Sequence, residues 1–145
     1  MRELTPDRTS RRRMAALLVA ASFVIIAYWV AWFLHRSLVA SDTSVAYTWF
    51  EDAFPLADGL LASALILGAR ALVVGRPSVV LWLLMGSGGG MFLCSMDVLY
   101  DAEHGVWGHG ANGVIELVIN IATLAVSVGM ARWTWRRRTA LLSGS

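Results

Sequence analysis

The sequence has no lysine and a single cysteine, and both absences exclude whole classes of chemistry. All 12 basic residues are arginines, so no side chain can form a retinal or pyridoxal Schiff base or act as the lysine of a P-loop. Cys94 alone cannot form an intramolecular disulfide, a CxxC redox pair, a haem attachment motif or a thiolate zinc cluster. We therefore expect the protein to work without a cofactor.

Charge is also scarce, and apolar residues are abundant. Only 15% of the 145 residues are charged and 57% are hydrophobic, with a mean hydropathy of +0.62. A soluble domain of this length could not bury so much apolar surface. The apolar residues fall in long runs, which argues against disordered, coiled-coil and β-barrel structures. The sequence therefore predicts an integral membrane protein.

Four apolar segments are long enough to cross a hydrocarbon core of about 30 Å as helices. The predicted spans cover residues 14–34, 54–74, 78–100 and 111–134, between basic tails at 1–13 and 136–145. A cleavable signal peptide is the alternative for the first segment, but its apolar run exceeds the roughly 7 to 15 residues of such peptides. We predict an all-α, antiparallel four-helix membrane bundle over residues 14–135, with an uncleaved first span.

Arginines and acids lie on opposite sides of these spans. Every arginine except Arg36 lies beside the termini or near the connection of spans two and three, and every acid except Glu3 and Asp7 lies toward the other side. The positive-inside rule then predicts that both termini and the loop between spans two and three lie in the cytoplasm. The arginines behind the net charge of +2 therefore mark one side of the membrane. We expect no nucleic-acid partner.

Aromatic residues cluster toward the predicted outer ends of the spans. Tyr28, Trp29, Trp32 and Tyr47 belong to this group. Because amphipathic rings concentrate at membrane–water interfaces, we expect these side chains in an outer aromatic belt.

Three carboxylates lie within the outer ends of three different predicted spans. Asp58, Asp97 and Glu116 are all about 5 to 8 Å from the end of their span, at 1.5 Å per helical residue. Ionisable side chains inside a span usually face the bundle or a water-filled cavity. Clustered carboxylates would bind a cation, share a proton, or pair with Arg36 or a histidine. Helix capping is the alternative for Asp58 and Asp97.

A polar stripe follows the fourth span. Asn112, Glu116, Asn120, Thr123 and Ser127 recur at spacings of three or four residues, which places them on one helical face. We expect this face to point inward. Interhelical hydrogen bonding explains Thr123 and Ser127, whereas Glu116 and Asn120 suggest a ligand or proton site.

A glycine-rich run, residues 86–90, lies at the centre of the third span. It has no preceding strand and no following lysine, so phosphate binding is a poor interpretation. Glycines in membrane helices favour close helix packing, and we expect either such packing or a bend that opens a cavity.

The connection after the third span contains acids and two histidines. Asp101, His104 and His109 offer ligand types that zinc accepts. Their spacing matches no established motif, and glycines favour a loose loop. The alternatives are therefore a metal site and a solvated acidic loop.

Two short motifs carry a resemblance. Residues 54–58 read FPLAD and residues 96–100 read MDVLY, and in these segments the chain resembles a group of small four-span bacterial membrane proteins. The resemblance covers spans two to four and includes the acid of the fourth. It implies that Asp58, Asp97 and Glu116 belong together, and it implies no particular activity.

These observations favour a non-enzymatic membrane protein with an outward-facing acidic pocket. Asp58, Asp97, Glu116 and Asn120 would bind a cation or a small amphipathic ligand. The expected partners are the lipid bilayer and either a second membrane protein, for which this chain would be an accessory subunit, or further copies of the chain. The alternatives are an oligomeric ion or proton transporter or channel, and an intramembrane lipid-modifying enzyme.

Overall fold

The computed structural model describes residues 7–108 and 110–143, and this part of the chain is helical without strands. Its helices are α1 (Arg8–His35), α2 (Val45–Glu51), α3 (Pro55–Val74), α4 (Val79–His104) and α5 (Gly110–Leu142), with short 3₁₀ turns at Arg36–Leu38 and Val106–Gly108. Four helical segments in these residues are long and apolar enough to cross a membrane. The predicted all-α four-helix architecture is confirmed.

The helix ends follow local chemistry. Asp7 caps α1, because its side chain accepts a hydrogen bond from the Ser10 amide at 2.6 Å. Pro55 is the first residue of α3, where its missing N–H is tolerated. Gly75 ends α3 with a left-handed φ of 77°. Helices α1 and α5 also continue into the predicted basic tails, to Arg8 and Leu142.

The long helices pack in sequence order. Helix α1 packs along α3, α3 along α4, and α4 along α5. In the described residues α1 and α5 form no comparably packed pair. They meet through single side-chain contacts such as the hydrogen bond from Trp133 Nε1 to Ser10 Oγ at 3.2 Å. We call the line along which these two helices face each other the α1–α5 seam.

The bundle has two distinct ends. The termini end holds the start of α1, the α3–α4 turn and the end of α5, and the loop end holds α2 and the α4–α5 connection. An apolar core fills the termini half, with Leu18, Leu72 and Leu83 fully buried. The three predicted site acids, Asp58, Asp97 and Glu116, lie in the loop half.

Glycines allow close packing on both sides of α4. A Cβ at Gly86 would approach Leu65 Cδ2 of α3 to 2.9 Å, and one at Gly90 would overlap Ser127 Oγ of α5. The expectation of close packing is confirmed for these two positions. At Gly88, by contrast, a Cβ would have nothing within 4 Å.

Three of the four aromatic residues expected in an outer belt face the interior of the bundle. Trp29, Trp32 and Tyr47 are buried and form one cluster, with the Trp32 and Tyr47 ring centroids 6.2 Å apart. The segment after α1 folds back so that α2 covers this end of the helix. These rings are therefore part of the bundle interior.

Candidate functional site

A cavity of about 180 Å³ lies inside the loop half of the bundle. All five helices contribute to its walls. Its lining residues are Val24, Ile25, Tyr28, Trp29, Glu51, Phe54, Asp58, Leu61, Leu93, Cys94, Asp97, Glu116, Ile119 and Thr123.

Asp58, Asp97 and Glu116, which the sequence placed at one depth, all line this cavity. Antiparallel packing explains the convergence, because Asp58 and Glu116 lie near the starts of α3 and α5 while Asp97 lies near the end of α4. A fourth carboxylate, Glu51 at the end of α2, joins them. Four helices thus contribute one acid each.

Sequence reasoning missed Glu51 as a site residue. It precedes Asp58 by seven residues, about two helical turns. On one continuous helix this spacing would place both acids on the same face, and this pattern could have pointed to Glu51. However, α2 ends at Glu51 and α3 begins at Pro55, so the two residues do not share one helix. Only the fold-back of α2 brings Glu51 to the cavity.

Three of the four carboxylates accept hydrogen bonds from neighbouring side chains. Glu51 Oε2 accepts from Tyr28 OH at 3.0 Å, and Asp58 Oδ2 accepts from Trp29 Nε1 at 2.8 Å. Glu116 Oε2 accepts from Ser41 Oγ, in the α1–α2 connection, at 2.6 Å. These bonds hold the three side chains in place.

Asp97 differs from the other cavity acids. Within residues 7–108 and 110–143 its carboxylate has no hydrogen-bond donor. It is only partly exposed, so its oxygen atoms depend on the contents of the cavity for partners. Asp97 is the carboxylate that remains open to a ligand.

The described cavity lining contains no basic side chain. The expected pairing with Arg36 is absent there, because Arg36 instead contacts Asp52 at 3.1 Å outside the cavity. Carboxylates in a low-dielectric space without a compensating cation favour binding of a proton or a positively charged group.

The part of the cavity wall away from the carboxylates includes exposed residues of both α1 and α5. This part is mostly apolar, and two of its residues face outward as well: Val24 of α1 is 64% exposed and Ile119 of α5 is 44% exposed. Val24 lies 11 residues from the end of α1, about 16 Å along the helix. We call this exposed edge of the lining, between α1 and α5, the mouth of the cavity.

Asn120, a predicted ligand-binding residue, does not line the cavity. It is 2% exposed and donates from Nδ2 to Asp101 Oδ2 at 2.7 Å. Trp107 Nε1 donates to the same oxygen at 3.0 Å. The rotation of α5 that turns Glu116 into the cavity turns Asn120 toward α4, so Asn120 belongs to a structural network.

Of the predicted metal ligands, the two that the structure describes make separate contacts. Asp101 is 3% exposed and engaged with Asn120 and Trp107, whereas His104 is exposed and stacks on Tyr100. His109 lies outside the described residues. In the described ranges, no group of three or more His, Cys, Asp or Glu side chains is arranged to hold a metal. Because Asp101 is buried, the alternative expectation of a solvated loop is wrong for this residue.

The rest of the polar stripe divides between interior and surface. Ser127 is buried and Thr123 is partly exposed against the cavity, as expected for an inward face. Asn112 is exposed at the start of α5, where Nδ2 lies 3.5 Å from the Ala40 carbonyl oxygen.

No family model, curated protein or solved structure matches the chain. The fold and the cavity therefore define the class of protein by themselves. In the part of the chain that the structure describes, it is an all-helical protein with four helices long and apolar enough to span a membrane, and with a carboxylate-lined cavity between them.

Proposed function

We propose that this protein is a non-enzymatic membrane protein whose cavity binds a small amphipathic cation. The single observation that carries the proposal is the cavity lining: four carboxylates from four helices, no basic side chain in the lining as described, and apolar side chains at the mouth. Electrostatics favours a positive charge inside this space, and the apolar mouth favours a ligand with a hydrocarbon part.

Asp97 is the anchor for the positive group. Glu51, Asp58 and Glu116 already accept hydrogen bonds from Tyr28, Trp29 and Ser41. Asp97 has free acceptor capacity, so an ammonium group would gain a charge-assisted hydrogen bond there without breaking one inside the protein. The other three acids add to the negative potential.

The apolar part of the ligand would lie at the α1–α5 seam. A cavity of about 180 Å³ holds the equivalent of about six water molecules at roughly 30 Å³ each. This space accommodates a head group and a few carbon atoms. A longer chain would leave between Val24 and Ile119 into the lipid, which gives the ligand a route from the bilayer.

The distribution of the acids favours an organic cation over a bare metal ion. The described residues hold no group of three carboxylate, imidazole or thiol ligands arranged for a metal. The acids instead line different walls of one volume, an arrangement that suits a ligand filling the space.

The charge asymmetry of the sequence indicates which way the protein would face in the membrane. With the positive-inside rule, the arginine-rich termini end faces the cytoplasm of a bacterial cell and the acidic loop end faces outward. The cavity would then sample cationic amphiphiles in the outer half of the inner membrane.

Dodecylamine, which is protonated at neutral pH, is the probe that tests this function. The purified protein in neutral detergent should bind it and melt at a higher temperature, while the uncharged dodecanol should have little effect. Asp97→Asn removes the charge of the anchor. Because a hydrogen bond to a charged group contributes about 1.5 to 3 kcal/mol, dodecylamine affinity should fall roughly ten- to hundredfold.

Glu103→Gln is the matched control, because Glu103 lies on the same helix but is exposed and outside the cavity lining. It should leave dodecylamine affinity unchanged. Equal affinities for the wild type and Asp97→Asn, or equal binding of dodecylamine and dodecanol, would refute the proposal.

A further inference from the structure

A second concave surface, independent of the acidic cavity, runs along the outside of α1 and α3 in the termini half. Its volume is about 820 Å³, and it is widely open to the surroundings of the protein. Four alanines leave room for it, and the other lining residues except one are apolar. They are Ala15, Ala16, Val19, Ala20, Phe23, Ile66, Ala69, Arg70, Val73 and Val74. We call this surface the alanine groove.

Arg70 is the exception in the alanine groove. Its side chain is exposed, and it has no hydrogen bond or ion pair with any residue that the structure describes. It lies four residues before the end of α3, about 6 Å along the helix. A guanidinium at this depth, inside an apolar surface, requires an anionic partner or contact with the interface.

We propose that the alanine groove binds an anionic phospholipid, with its phosphate on Arg70 and an acyl chain along the alanines. Charge complementarity selects the head group, since guanidinium and phosphate form paired, charge-assisted hydrogen bonds. The position near the helix end matches the phosphate level of the leaflet on the termini side, while the groove continues toward the bilayer centre as an acyl chain does.

The same helix pair offers an internal comparison. A second groove between α1 and α3 lies in the loop half, with a volume of about 430 Å³, and the residues lining it include no charged side chain. Lipid chains would cover that surface without head-group preference. Arg70 is therefore the feature that makes the alanine groove selective.

The proposal is tested with dioleoylphosphatidylglycerol and dioleoylphosphatidylcholine added to the full-length protein in neutral detergent. Retained lipid is counted by native mass spectrometry, and the melting temperature is measured in parallel. We expect preferential retention of phosphatidylglycerol, and Arg70→Gln should weaken its binding about tenfold. Arg76→Gln, in the nearby α3–α4 turn outside the groove, should weaken it less than about twofold.

A second pair of variants tests the acyl chain. Ala20→Trp fills the groove without changing charge and should also reduce phosphatidylglycerol retention. Ala122→Trp, on an exposed position of α5 outside the groove, is the matched control and should not. Glycerol 3-phosphate, which carries a similar phosphate without chains, should bind much more weakly than the phospholipid.

Three results would overturn the proposal. Equal effects of Arg70→Gln and Arg76→Gln would show only general attraction to anionic lipid. Stabilisation by glycerol 3-phosphate equal to that by the phospholipid would show that the groove is not used. A change from dimer to monomer with Ala20→Trp, without any lipid preference, would assign the groove to a second copy of the chain. None of these measurements depends on dodecylamine binding.

Discussion

Gly113 contacts the backbone of the α4–α5 connection. Replacing Gly113 with alanine should destabilise the protein more than the same replacement at Gly86, Gly88 or Gly90. A Cβ at Gly113 would overlap the Val106 carbonyl oxygen and would lie 2.8 and 2.9 Å from the carbonyl carbon and oxygen of Trp107. All three are backbone atoms, which cannot rotate away as a side-chain tip can. The 3₁₀ turn at Val106–Gly108 would have to move.

The magnitude follows from three contributions. Overpacking of this kind costs about 1 to 3 kcal/mol, and rigid backbone neighbours place Gly113→Ala toward the upper end. Moving the turn also strains the hydrogen bond from Trp107 Nε1 to Asp101, which contributes about 1 kcal/mol. Alanine gains about 0.5 to 1 kcal/mol over glycine inside a helix. The net loss is therefore about 2 to 3 kcal/mol.

Gly129→Ala provides the matched control on the same helix. A Cβ at Gly129 would have no atom within 4 Å, so this substitution should stabilise the protein by about 0.5 to 1 kcal/mol. Unfolding by SDS in mixed micelles, followed by helical circular dichroism, measures both free energies. If Gly113→Ala and Gly129→Ala differ by less than about 0.5 kcal/mol, the packing of the connection against α5 is wrong.

Two further predictions concern polar contacts. Trp29→Phe replaces the indole with a smaller phenyl ring and removes the donor to Asp58, so it should lower the free energy of unfolding by about 1 to 3 kcal/mol, whereas exposed Trp49→Phe should change it little. Asn120→Ala removes the donor to Asp101 and should cost about 1 kcal/mol, within the range for interhelical hydrogen bonds in membranes. The same SDS titration measures all three variants. Equal values for Trp29→Phe and Trp49→Phe would contradict the contact of Trp29, and an unchanged value for Asn120→Ala would contradict the contact of Asn120.

The position of the acids along the helices could be predicted because depth is a local property. The distance of Asp58, Asp97 and Glu116 from the ends of their spans depends only on residue spacing and helical rise. Antiparallel order, which follows from short connections, then brings the three to one level. The sequence therefore predicted a shared depth, which the cavity lining matches.

Helix rotation and the path of the connections could not be predicted in the same way. Glu116 and Asn120 are four residues apart on one face, yet Glu116 lines the cavity and Asn120 bonds Asp101. The crossing of α4 and α5 decides this difference. The burial of Trp29 and its bond to Asp58 likewise depend on packing against α3, and spacing alone assigned the ring to the membrane interface.

The sequence by itself determined the four spans, their antiparallel order and the depth of three carboxylates, because hydrophobic length and residue spacing are set within single helices. The tertiary structure alone decided which side chains meet. It added Glu51 through the fold-back of α2, left Asp97 as the cavity acid without a donor among the described residues, and placed the exposed edge of the cavity between α1 and α5. These features arise from contacts between segments far apart in the chain, which helical periodicity does not encode.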